Sequence, residues 1–81
     1  MNKETWDSFI ERIRWGEEPE FTFRGDIFSI SWSQDNQVIL GKYKDENNDE
    51  FFDNVDEMLK KAKIEGLSLK TAFPEFTDII G

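Results

Sequence analysis

The chain has 81 residues, with 10 Lys or Arg against 18 Asp or Glu, a formal charge of −8, no Cys and no His. That charge argues against unaided binding to nucleic acid or to an anionic membrane, since both are polyanions attracted by clusters of Lys and Arg. Without Cys and His, disulfides, thiolate or imidazole metal sites and the usual nucleophile–base pairs are out of reach, so neither an enzyme nor a cofactor is expected.

The length predicts a single domain over residues 1–81, and a chain of this size buries only about 60% of the surface it exposes when unfolded. The core must therefore be dense, and eight Phe, three Trp and one Tyr can supply it. The opening MNKETWDSFIERIR has no apolar run of signal-peptide type, and no apolar run approaches the roughly 20 residues of a membrane span. A cytoplasmic protein is expected.

Trp6, Phe9, Ile10 and Ile13 recur at helical spacing and predict a helix from about Lys3 to Trp15, with Gly16 closing it. Trp15 falls off the apolar stripe, so it either packs back through a distorted last turn, as expected here, or lies on the surface. From Glu18 to Lys44 apolar and polar residues alternate as in half-buried strands. Gly25-Asp26 predicts a two-residue hairpin turn that sets Phe23 opposite Phe28 and Phe21 opposite Ile30. Phe21, Phe23, Phe28, Ile30 and Trp32 then share one face, which meets the first helix. A turn at Asp35-Asn36 leads to a third strand, Val38 to Lys44, predicted to bring Ile39, Gly41 and Tyr43 to that same face. The opposite face would carry Ser29, Ser31, Ile27, Val38 and Leu40, covered by the C-terminal segment or left for a partner.

Between Asp45 and Glu57 stand seven carboxylates: Asp45, Glu46, Asp49, Glu50, Asp53, Asp56 and Glu57. Asp45, Asn47, Asp49, Asp53 and Asp56 match EF-hand ligand positions, but Glu50 replaces the turn Gly, Asp56 the bidentate Glu, and a strand precedes the loop, so no metal site is expected. Part of the run is helix-start chemistry. Asn54 with Glu57 forms a capping box ahead of Val55, Met58, Leu59 and Ala62, and Lys60, Lys61 and Lys63 suit the negative end of the helix dipole. Ile64-Glu65-Gly66 turns the chain, Ser68 caps a short turn over Leu69 to Phe73, and Pro74 stops it. Glu75 to Gly81 has Phe76, Ile79 and Ile80 to bury without a clear period. The expected fold is α+β: an N-terminal helix, a three-stranded antiparallel β-meander, a second helix and a short C-terminal segment. Arg24-Gly25-Asp26 spells a cell-adhesion tripeptide, which the tight hairpin accounts for without a receptor.

The order of motifs, a helix, EFTFRGDIFSI, a third strand, then FFDNVDEMLKKAKIEGLSLK, resembles a loose group of small acidic proteins of low-GC Gram-positive bacteria and their prophages. Some proteins of similar look are anti-CRISPR inhibitors. The resemblance implies a phage or mobile-element inhibitor whose carboxylates imitate DNA phosphates on a basic protein, such as a CRISPR nuclease. Glu17, Glu18, Glu20, Asp45, Glu46, Asp49, Glu50 and Asp53 are the candidate partner-binding residues. The alternative is an immunity or adaptor protein that meets a neutral surface through Trp15 or the Ile27, Val38 and Leu40 cluster. A small housekeeping domain whose acidity only keeps it soluble is a third. In each case a monomer or weak homodimer is expected, because net charge opposes self-association.

Overall fold

The structure is a computed structural model that describes residues 4–45 and 49–80. Helix α1 (Trp6–Arg14) begins where the Thr5 hydroxyl accepts from the Ser8 amide, and it buries Phe9, Ile10 and Ile13. Beyond it Gly16 adopts a φ of +96°, the left-handed conformation that ends helices and favours glycine. The stripe read from the sequence is the buried one. Trp15 does not pack back: it is 79% exposed, because the last turn stays regular enough to leave it opposite the stripe.

The chain then runs through β1 (Glu20–Phe23), β2 (Asp26–Trp32) and β3 (Val38–Lys42). The hairpin turn is Arg24-Gly25, with φ of +50° and +87°, and not Gly25-Asp26. Two successive positive φ values make the twist that joins right-twisted strands, and Gly occupies the second of those positions. Phe21 therefore pairs with Phe28 and Phe23 with Asp26, a slip of two residues from the expected register. Such a slip preserves faces, so Phe21, Phe23, Phe28 and Ile30 are buried together as expected.

Strand β3 has the opposite phase from the one expected. Val38 pairs with Trp32 and Leu40 with Ile30, and both aliphatics enter the core. Ile39 and Gly41, paired with Ser31 and Ser29, turn to the other face. Three consecutive aliphatics, Val38-Ile39-Leu40, leave the phase open in the sequence, and the helices that cover one face decide it.

The meander is the centre of a larger sheet. Within the acidic stretch β4 (Glu50–Phe52) adds to β3, and near the C-terminus β7 (Thr77–Ile80) adds to β1, giving an antiparallel order β4-β3-β2-β1-β7. Between them lie α2 (Val55–Lys61), the small hairpin β5 (Lys63–Ile64) and β6 (Leu67–Ser68), α3 (Leu69–Ala72) and a 3-10 turn (Phe73–Glu75). The class is α+β as expected, but the sheet has five strands and the C-terminal segment is an edge strand. It does not cover Ile27.

The local signals around these elements are realised. Asn54 accepts from the Glu57 amide at 2.8 Å, although the Glu57 carboxylate turns to Lys61 and not back to the cap. Ser68 accepts from the Thr71 amide, and Glu65-Gly66 supplies the φ values of +51° and +82° of the small hairpin. One core joins all of this: the buried side of the sheet meets Phe9 and Ile13 from α1, Val55 and Met58 from α2, Leu69 from α3, then Phe73 and Phe76. Among the described residues the helices thus occupy one face of the sheet and leave the other without a layer.

Candidate functional site

The face without a layer is built by the alternate residues of each strand. In the middle stand small side chains, Ser29 and Ser31 on β2 and Gly41 on β3. Around them, by register, stand Ile27, Ile39, Phe51 opposite Ile39, Thr22 opposite Ile27, and Ile80 opposite Glu20. Tyr43 extends β3 past its last ladder residue, with its amide donating to the Ile27 carbonyl at 2.7 Å. Small residues between large ones make a depression of about 300 Å³, lined among others by Glu20, Ile27, Ser29, Ile39, Tyr43 and Asp49.

Exposure concentrates on this face. Among the described residues five large apolar side chains are exposed, and four of them, Ile27 at 43%, Tyr43 at 66%, Phe51 at 55% and Ile80 at 60%, belong to it. Ile27 and Tyr43 are neighbours on the middle strands, while Phe51 and Ile80 stand on the two edge strands with Gly41, Ser29 and Glu20 between them, a clustering on one face beyond the scattered single hydrophobics of an ordinary surface.

Two carboxylates stand in the depression. Asp49 lies over Gly41: a Cβ there would come within 2.6 Å of the Asp49 Oδ1, so glycine is what allows the carboxylate to rest on the strand. Glu20 opens β1 between Ser29 and Ile80. Neither has an ion-pair partner among the described residues. Of the cations at the rim, Lys42 is paired with Asp26 at 3.3 Å, and the Lys44 ammonium lies 5.7 Å from the centre of the Tyr43 ring.

The acidic residues singled out from the sequence do not form one surface. Glu20 and Asp49 share the open face; Asp45 and Glu50 line a different depression with Lys42 and Lys63. Glu17 lies beside Trp15 and accepts from the Arg12 Nε at 3.2 Å. The Glu18 carboxylate accepts from the Trp32 amide at 2.9 Å, a contact within the chain that closes the end of β2. Asp53 is exposed beside the α2 cap, and Glu46 and Asn47 lie outside the described residues. The EF-hand spacing runs through β4, whose extended backbone replaces a ligand loop, and the described residues hold no group of three or more His, Cys, Asp or Glu placed for a metal. No described helix is long and apolar enough to cross a membrane.

Val38 and Leu40, named in the apolar alternative, are core residues; Ile27 alone of that cluster reaches the surface. The sequence pattern places Ile39 and Tyr43 on the helix-covered face and Ile80 among the residues to bury, whereas all three stand on the open face together with Phe51, for which no role is expected. The signal for Phe51 lies in the Phe51-Phe52 pair, because adjacent residues in a strand face opposite ways and only one of two phenylalanines can enter the core. Family models, curated proteins and solved structures all fail to match this chain.

Proposed function

We propose that the protein is a small acidic protein-binding domain, cytoplasmic and without catalysis of its own, that engages a basic partner through the open face of its sheet. The observation that carries this reading is the grouping of Ile27, Tyr43, Phe51 and Ile80 on the sheet face that no described helix covers. Exposed aromatic and aliphatic side chains grouped on one face suit recognition of another protein, where aromatic anchors supply most of the energy.

Inhibition of a nucleic-acid enzyme such as a CRISPR nuclease, on behalf of a phage or other mobile element, is one form such binding takes. The net charge and the resemblance to small acidic prophage proteins support it. Pure phosphate mimicry draws less support, because the candidate carboxylates are divided among separate places and two of them, Glu17 and Glu18, serve contacts within the chain. An immunity or adaptor role would use the same face.

Affinity capture with the immobilised chain and two sets of variants tests the proposal. Ile27→Ser with Phe51→Ser should abolish retention of the captured protein while leaving the melting temperature within a few degrees. Neutralising Asp45, Glu46, Glu50 and Asp53 to their amides should weaken it less. The reverse pattern, with retention lost on neutralisation and in high salt but untouched by the face variants, would hand the protein to phosphate mimicry.

A further inference from the structure

Resting on the reading of the open face as a recognition surface, we infer that its occupant is a cationic amphipathic helix of a partner protein. Its shape is the first argument. Ser29 and Gly41 form a low floor across the middle strands, between Ile39 with Ser31 on one side and Ile27 with Tyr43 on the other, and Glu20 and Asp49 stand at its two ends, so the face is grooved and not flat. The covered side of the same sheet shows what such a surface takes: α1, nine residues long, lays Phe9, Ile10 and Ile13 on it. A helix presenting apolar residues at i, i+3, i+4 and i+7 meets the open side in the same way.

Charge complementarity selects the partner. Within the groove Glu20 and Asp49 have no ion-pair partner among the described residues, and the chain as a whole carries −8. Of the two described cations at the rim, Lys42 is held by Asp26 and Lys44 stands against Tyr43, an aromatic wall that accepts an ammonium group. A second copy of this chain fits less well: sheet packed on sheet would bring Glu20 and Asp49 of each copy against one described lysine per copy that is not already ion-paired, Lys44, and leave carboxylates in excess. A helix with Lys or Arg flanking its apolar stripe supplies the missing cations and steers the encounter electrostatically.

The probe is an amidated peptide of about 14 residues, long enough for four helical turns, made of Leu on one face and Lys on the other. Its twin has Glu for Lys, and a third peptide has the Leu/Lys composition in an order that destroys the apolar stripe. Binding is followed by amide NMR shifts of the full chain, helicity by circular dichroism, and association state by sedimentation. The Leu/Lys helix should shift the amides of Ser29, Ser31, Gly41 and Tyr43 saturably and gain helicity, with the other two peptides weaker by about tenfold or more, roughly 1.4 kcal/mol. Phe51→Ser should weaken it by a similar factor, and Glu20→Gln with Asp49→Asn should weaken it several-fold and flatten its salt dependence.

Equal binding of the Glu twin, with shifts still on this face, overturns the cationic occupant and leaves the face reading standing. Shifts confined to other acidic surfaces, or binding indifferent to both Phe51→Ser and the stripe, overturn both. Binding without helicity replaces the helix by an extended segment. A tight dimer that Phe51→Ser dissociates replaces it by a second copy.

Discussion

Phe76 lies face to face with Phe21, their ring centres 3.9 Å apart and their planes within 16°. One ring belongs to the first strand and the other to the link between the 3-10 turn and the last strand, so the contact ties the last strand's approach to the first strand. Phe76 also meets Phe9, Phe23 and Phe73 edge-on, and none of its surface reaches solvent. Phe76→Ala should cost about 3–5 kcal/mol by chemical denaturation, as a buried Phe truncation does. Because an 81-residue domain has little stability in reserve, the variant should approach unfolding at physiological temperature. A loss below about 1 kcal/mol would show that β7 is not part of the cooperative unit.

Arg24 reaches from the first hairpin to Glu75 with both Nε and a terminal nitrogen at 3.0 Å, and Glu65 stands 3.8 Å away. Hydrogen bonding from Arg24 holds the Glu75 carboxyl below its ordinary value of 4.5. A carboxyl whose folded pKa is depressed contributes stability above its unfolded pKa and loses it as pH falls through the folded one. The stability difference between wild type and Glu75→Gln should be constant from neutral pH down to about pH 5 and shrink below it. The pair is solvent-exposed, so the effect is small and is read most cleanly at low salt. A difference that grows toward acid refutes the assignment.

Glu65 occupies a left-handed position with φ of +51° ahead of Gly66 at +82°. Non-glycine residues there cost about 1–2 kcal/mol, least for Asn and Asp. Glu65→Asn should therefore raise stability by about 0.5–1 kcal/mol, the scale of an optimised two-residue turn, despite losing the long contact to Arg24. Urea denaturation at neutral pH measures it.

Trp32 links sheet and helix, donating from its indole nitrogen to the Ile13 carbonyl at 3.1 Å while its backbone amide donates to Glu18. Trp32→Phe keeps the ring against the core and removes the donor, and should cost about 1–2 kcal/mol. Glu18→Ala removes the acceptor at the other end and should lower the melting temperature without changing retention of any partner. Loss of binding in Glu18→Ala at unchanged melting temperature would instead return Glu18 to the recognition surface.

Much of the fold is legible in the sequence because it is written in short-range chemistry. The stripe Trp6, Phe9, Ile10 and Ile13 defines α1, the side chains of Asn54 and Ser68 meet amides three residues on, and Gly66 with Glu65 makes its turn, each within a few residues of chain. Alternation from Phe21 to Ile30 likewise names a buried face whichever of two registers closes the hairpin, since a slip of two residues changes partners but not sides. None of this needs knowledge of distant residues.

The open face is another matter. Its existence depends on β3 turning Val38 and Leu40 inward, on β4 and β7 finding the two edges, and on every helix choosing the same side. Strands of three and four residues carry too little pattern to announce themselves, and β7 pairs with residues more than fifty positions earlier. Charge and aromatic content, which composition alone determines, predict a dense core and oppose unaided binding to polyanions. Which apolar residues are spent in the core and which remain outside is settled by competition for a single covered face, and that competition takes place only when the whole sheet is assembled.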